Sequence, residues 1–370
     1  MKRLLLLHIS QYGGHKKASE NLEEAFRFRE PSLDIKNING FGYVTPRLER
    51  CIDFFYMLTI KHAPFIWGSL YDRKTVVKAA SPLQNIVNIF AIPKIYKLLN
   101  DYQPGAILAT QAFPCRIAGD IKKKYKLDIP LIAVVTDYYP HRFWIHPQIS
   151  IYTVACQEAK QILVKEGVPQ EKIKVAGIPI SYQFSQNHPR EAIAAEFGFA
   201  FDTKTIMIMG GGLGIGPIKQ IIKLMEELPR QLQLIVVCGR NKKLYEWVSR
   251  KKFRKKIFAY GYVDFINKLM DFSDILITKG GGLTISEALT KGIGTLVVNP
   301  IPGQEDRNVR YLENRQAIIR ITNLIQIPVT VNMLLNNPRQ LSVLKESAKQ
   351  TALSDAALHI ADVTLNQKKL

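Results

Sequence analysis

The sequence has 370 residues, 47% of them hydrophobic and 22% charged, with 51 Lys and Arg against 31 Asp and Glu for a net charge of +20. This composition excludes a disordered chain, and no apolar run approaches the roughly 18 residues of a membrane-spanning helix. The length suits two domains, each able to bury its own core, and a basic excess in both halves predicts an anionic partner: nucleic acid, an anionic membrane or a phosphorylated small molecule.

In chain order, residues 4–9 predict a strand, although this apolar run is too short for a signal h-region. Ala18, Leu22, Ala25 and Phe26 then follow at i, i+4, i+7, i+8 and make one buried helix stripe. Residues 41–100 break the rhythm with Phe41, Tyr43, Phe54, Phe55, Tyr56, Phe65, Trp67, Tyr71, Phe90 and Tyr96, among more basic residues than the acids Glu49, Asp53 and Asp72. Such a stretch reads either as amphipathic helices packed on the first sheet or as an interfacial patch for an anionic membrane. Strands are expected at 106–110, 131–137, 152–156 and 173–178, with helices at 117–125 and 159–166. Beyond about Tyr182 the pattern restarts. Strands at 205–209, 233–238, 257–260, 275–278 and 295–298 flank a helical stripe of Ile218, Ile221, Ile222 and Met225. Residues 240–256 hold nine basic side chains against Glu246. Apolar strands separated by helices mean parallel sheets covered on both faces, so the expected fold is α/β with two doubly wound domains joined near 180–189. Cys51, Cys115, Cys156 and Cys238 are scattered with no C-x-x-C, which predicts a reducing cytosol rather than a disulfide framework or a zinc site.

Four segments at strand ends carry the chemistry. Gly13-Gly14-His15 opens the first helix, where glycines admit a ligand to the backbone, the helix N-terminus attracts an anion and His15 can move a proton. The run Gly210-Gly211-Gly212-Leu213-Gly214-Ile215-Gly216-Pro217 lacks the Gly-Lys-Ser/Thr of a P-loop and suits a phosphate or diphosphate held by backbone N–H groups. Thr278-Lys279-Gly280-Gly281-Gly282-Leu283-Thr284 leads into a helix where Ile285, Ala288 and Leu289 bury one face. Glu287 lies off that stripe, as a ribose ligand or a helix-dipole partner. In Pro302-Gly303-Gln304-Glu305-Asp306-Arg307-Asn308, Gln304 and Asn308 sit at i, i+4 and offer amides to sugar hydroxyls.

In this order, with Val135-Thr136-Asp137-Tyr138, His141, Trp144 and Gly177-Ile178-Pro179-Ile180, these segments resemble the family 28 glycosyltransferases. The likeness is to the processive diacylglycerol glucosyltransferases and monogalactosyldiacylglycerol synthases, over about residues 1–320. It implies a GT-B fold, two doubly wound Rossmann-like domains facing an interdomain cleft. Residues 1–183 would take the acceptor and dock on the membrane, 184–351 would bind a UDP-sugar, and a helix in 352–370 would pack back on the first domain. The resemblance assigns Gly210, Gly211, Gly212, Leu213, Gly214, Gly239, Asn241, Lys279, Gly281, Gly282 and Thr284 to the donor. Tyr262 and Val263 would border the uracil, Glu287 would hold the ribose, and Gln304, Glu305 and Asn308 would read the hexose. Gly13, Gly14, His141 and Trp144 would meet the acceptor.

The expected activity is inverting transfer of glucose or galactose from UDP-glucose or UDP-galactose to diacylglycerol, by a peripheral protein on the cytoplasmic face of an anionic membrane. His15 or Asp137 would serve as the base. No Asp-x-Asp occurs, so no metal and no cofactor are expected, and no nucleic-acid motif is present. The alternatives are transfer of N-acetylglucosamine to a lipid-linked peptidoglycan precursor, or a non-catalytic basic membrane-binding protein.

Overall fold

A computed structural model describes residues 1–9, 13–44 and 81–369. The chain divides into two compact units. Met1–Tyr182, Ile301–Arg307 and Asp355–Leu370 form the first, and Gln183–Pro300 with Asn308–Ser354 form the second.

The first unit is built on a parallel sheet of β1 (Arg3–His8), β2 (Asp34–Asn39), β3 (Ala106–Ala109), β4 (Leu131–Val134), β5 (Ile151–Val154) and β6 (Ile173–Val175). Their order is β2-β1-β3-β4-β5-β6. Leu4, Leu5, Leu6 and Leu7 are all fully buried, as both faces of a central parallel strand must be. The second unit carries β7 (Thr205–Met209), β8 (Gln233–Val237), β9 (Lys256–Tyr260), β10 (Ile275–Thr278), β11 (Gly294–Val298) and β12 (Ile319–Ile321). These run in the order β12-β11-β10-β7-β8-β9, the doubly wound dinucleotide-binding arrangement. Each sheet therefore has a point where strand order reverses, between β1 and β3 in one and between β7 and β10 in the other. Ligands of such sheets bind beyond the carboxyl ends of the strands at that point. Leu7 pairs with Ala109 and Met209 with Thr278, so all four of the loops that begin there are those singled out by sequence or adjoin them.

The helix Ala356–Leu365 belongs to the first unit. Its Ala357, Ile360 and Ala361 share a core with Leu4, Leu6, Leu22 and Phe26. Each large side chain buried there contributes about 1.5–3 kcal/mol. An exposed ion pair between Arg29 and Asp362 at 2.9 Å adds little beside that.

Several elements depart from expectation. β2, Asp-Ile-Lys-Asn-Ile-Asn, has no apolar run because it is a partly exposed edge strand, and β12 is only three residues long. The expected strand 131–137 ends at Val134, and Val135 keeps one more ladder bond, from its N–H to Thr153 O at 2.9 Å. Helices Gln326–Asn336 and Pro338–Thr351 went unread. Of the aromatic stretch, Phe54, Phe55, Tyr56, Phe65, Trp67 and Tyr71 lie outside the described residues, as do the side chains of Phe41 and Phe90. Tyr43 is 47% exposed, and Tyr96 stacks on Tyr125 with centroids 3.7 Å apart. Among the described residues no helix is long and apolar enough to cross a membrane.

Candidate functional site

In the first unit the helix Gly14–Arg29 starts beside the β1/β3 reversal, with Gly13 as its N-cap. His15 sits half-buried in the first turn. Its Nδ1 lies 2.8 Å from the carbonyl oxygen of Thr110, the residue after β3, and 3.0 Å from Thr136 Oγ1. A carbonyl can only accept, so Nδ1 carries the proton. Thr110 returns a bond from its hydroxyl to His15 O at 2.8 Å, which fixes the turn as well as the ring. Burial pushes the His15 pKa below its ordinary 6.5, with the Asp137 carboxylate and the Thr110 carbonyl opposing that shift. The ring is thus neutral near pH 7, protonated at Nδ1, with the lone pair on Nε2.

Asp137, 3% exposed, stands in the turn after β4. Its Oδ2 accepts a hydrogen bond from Gln304 Nε2, within a segment that groups with this unit. Arg307, on the same segment, lies over the Tyr139 ring at 4.4 Å. His141 is held neutral, its pKa pushed down to about 3 by burial and by the neighbouring His15. Trp144 corrects an expectation. It is 1% exposed, one of the largest fully buried side chains, with its ring 6.0 Å from that of His141. It backs the His141 ring rather than presenting a face to an acceptor. Glu305 is likewise engaged, since its Oε2 accepts from Ile301 N at 3.1 Å at the start of the helix Gln304–Asn314. Asn308 on that helix is fully buried.

In the second unit the loop after β7 folds into a tight turn, with Gly214 N–H bonded to Gly211 O at 3.0 Å and Ile215 N–H to Gly210 O at 3.1 Å. Gly211 and Gly214 have φ of 65° and 61°, the left-handed region that side chains resist. A Cβ on Gly214 would run into the Cys238 carbonyl oxygen, and one on Gly239 would sit 2.5 Å from Gly212 O. The loops after β7 and β8 therefore lie backbone against backbone. Asn241 locks them: its Nδ2 donates to Gly214 O at 3.0 Å, while its Oδ1 accepts from Leu244 N at 3.0 Å. Gly239 and Asn241, expected at the donor, buttress the glycine loop.

Around this loop stand two cations and an aromatic ring. Lys279 Cε would lie 3.3 Å from a Cβ on Gly211, and Tyr262 Cε2 3.7 Å from one on Gly212. The Arg240 guanidinium lies over the Tyr262 ring at 4.6 Å, and its backbone N–H donates to Gly212 O at 3.0 Å. Tyr262 is 51% exposed, the face a flat ligand needs, with Val263 half-buried beside it. The helices Ile218–Glu227 and Gly282–Lys291 begin at Pro217 and Gly281 with no side-chain cap. Gln220 N–H bonds Pro217 O at 2.9 Å, and among the described residues no side chain caps the positive ends of these helices, where anions are favoured. Gly282 and half-buried Thr284 occupy that first turn, and Leu213 is half-buried in the loop. Glu287 is 7% exposed although it lies off the apolar stripe. In the sequence Arg240 stands out only as the start of the basic run 240–256. Its place directly after a strand and a glycine was the available signal. No cluster of three His, Cys, Asp or Glu able to hold a metal occurs among the described residues.

Two parallel six-stranded sheets, each doubly wound with its order reversing at one point, are the architecture of the GT-B glycosyltransferases. Residues 15–180 match the family model of monogalactosyldiacylglycerol (MGDG) synthase, and 205–361 match the glycosyltransferase family 28 C-terminal domain. The chain belongs to glycosyltransferase family 28. It is 29% identical over 372 residues to a processive diacylglycerol beta-glucosyltransferase of Bacillus cereus, covering 98% of this chain and 93% of that one. Its fold matches Acinetobacter baumannii MurG with a TM-score of 0.64 at 13% identity, over 99% of this chain and 100% of the other. Anabaena HepE in complex with UDP-glucose matches with a TM-score of 0.60 at 12% identity, over 100% of both chains.

Proposed function

We propose that this enzyme transfers a hexose from a UDP-sugar to diacylglycerol at a membrane surface, with inversion at the anomeric carbon and without a metal ion. The observation that carries the reading is the His15 ring, tied through Nδ1 to Thr110 O and left with its lone pair on Nε2. That nitrogen takes the proton of the acceptor hydroxyl as the oxygen attacks C1, and UDP departs from the opposite face. Asp137 stabilises the imidazolium that forms. His15 is favoured over Asp137 as the base because Gln304 already donates to the Asp137 carboxylate.

The leaving UDP gains negative charge on its diphosphate. The glycine loop, the two helix N-termini without side-chain caps, Lys279 and Arg240 offer preorganised N–H groups and positive charge for it, which is how such charge is stabilised without a metal ion. Tyr262 and Val263 are assigned to the uracil, Glu287 to the ribose and Gln304 to the hexose. Support for the donor comes from HepE, a neighbour in fold that was crystallised with UDP-glucose. Support for the acceptor, and for glucose over galactose, comes from the relatives named diacylglycerol beta-glucosyltransferases. Diacylglycerol is insoluble in water, so the enzyme works as a peripheral protein on the cytoplasmic face.

The test is a panel of UDP-glucose, UDP-galactose and UDP-N-acetylglucosamine with vesicles that contain or lack diacylglycerol, reading UDP release and lipid-linked sugar. UDP release from UDP-glucose that depends on diacylglycerol supports the reading. Turnover confined to UDP-N-acetylglucosamine, or hexose release indifferent to diacylglycerol, overturns it.

A further inference from the structure

The helix Lys242–Arg250 is held to the second unit by Leu244 and Val248, 4% and 3% exposed. Its outer side and the segment after it present Lys242, Lys243, Arg250, Lys251, Lys252 and Arg254, all exposed. None of the six is ion-paired among the described residues, and Glu246 is the one acid between them. Trp247 lies half-buried among these cations. Lys219 Nζ stands 4.9 Å and Lys251 Nζ 5.2 Å from its ring centroid, and Phe253 meets the ring edge-on at 5.7 Å. Tyr245 adds a ring that is 41% exposed.

We propose that this face rests on an anionic lipid bilayer, so that the donor-binding unit, as well as the acceptor-binding one, is a membrane-docking element. The inference rests on the membrane-surface reading above and adds a named surface to it. The chemistry fits lipid better than nucleic acid. Ammonium groups of Lys219 and Lys251 beside the half-buried Trp247 ring, with exposed Tyr245 and further cations around them, combine the amphipathic rings and basic residues that meet lipid headgroups. A nucleic-acid surface needs open rings for bases to stack on, whereas the Trp247 ring already carries two ammonium groups. The face is a convex helix, not a groove that tracks a strand. Each basic residue close to an anionic surface raises partitioning about five-fold, so three of them account for roughly a hundred-fold.

The experiment compares the full chain with a variant combining Lys242→Glu, Lys243→Glu and Arg250→Glu, and with a milder one carrying Gln at the same positions. Binding is read by co-sedimentation with phosphatidylcholine vesicles and with vesicles of about 30% phosphatidylglycerol. The wild type should bind the anionic vesicles and not the neutral ones. The Glu variant should lose at least ten-fold of that binding and the Gln variant part of it, while both keep UDP release with detergent-dispersed diacylglycerol. Unchanged vesicle binding by both variants overturns this surface and leaves the membrane reading standing. A wild type indifferent to anionic vesicles overturns both. A single-stranded RNA bound as tightly as the anionic vesicles, and lost in the Glu variant, overturns the lipid assignment in favour of nucleic acid.

Discussion

The two reversal points solve different electrostatic problems with different materials. At β1/β3 stands one titratable ring, His15, the proposed base, held by a hydrogen bond to Thr110 O and close to a buried carboxylate. At β7/β10 the proposed diphosphate site is backbone and fixed positive charge, with Gly211, Gly214, Lys279 and Arg240. The first can change its charge during a reaction, and the second cannot. A proton must move and return, so it needs a group poised near neutrality. A diphosphate only needs charge already in place. Substitutions in the two regions should therefore fail in different ways.

The largest effect is expected from His15→Ala, which should lower kcat by about 10²–10⁴ while calorimetric UDP affinity stays near wild type. A variant that keeps most of its turnover would move the base to Asp137. Next comes a pair of glycine changes. Gly214→Ala forces a Cβ into the Cys238 carbonyl at a positive φ and should cost about 1–3 kcal/mol of stability together with most UDP binding. Gly13→Ala places its Cβ where no atom among the described residues lies within 4 Å, so the melting temperature should hardly change. If both variants melt alike, the contrast between a packed loop and an open one is lost.

Arg240→Ala and Lys279→Ala should each weaken UDP binding roughly 10–100-fold, the range of a charge-assisted bond, with little effect on the pH profile. Equal affinity in Arg240→Ala would remove this residue from the donor site. The smallest effect is a shift in pH dependence. Burial lowers the His15 pKa, so the neutral base persists above pH 6.5 and log kcat/KM should be flat there, falling only on the acid side. Asp137 raises that pKa, so Asp137→Asn should carry the acid limb to still lower pH. A limb that stays put, or moves upward, would show that Asp137 does not act through His15.

Sequence alone reached the strands that are apolar on both faces, because burial on both sides writes a continuous run such as residues 4–7 or 275–277. It did not reach β2, whose edge position leaves alternate side chains to solvent, or β12, which is too short to show a period. At the candidate site, the turns around Gly13 and residues 210–214 are legible because their signals are local: a glycine, a strand end, a helix start. The part Asn241 plays in holding the loop is not legible, because its bond to Gly214 O joins two loops that only the folded sheet brings together. Trp144 was misplaced for the same reason, since nothing in its neighbours says that its ring is buried. The Gln304–Asp137 bond spans 167 positions of sequence and leaves no periodic trace.

The first unit is interrupted in the chain: its sheet is complete by Val175, yet its core also needs Ala357, Ile360 and Ala361. During synthesis the intervening residues must be made before that core can close. At about 5–20 residues per second this is a delay of roughly ten seconds or longer. Throughout it the side of Leu22 and Phe26 that the late helix covers stays bare on the ribosome-bound chain. The nascent first unit would thus expose apolar surface during translation, while the second unit is made in one nearly continuous run, Gln183–Pro300 and Asn308–Ser354. A stop codon just before Ala356 would damage the part of the protein made first, not the part made last.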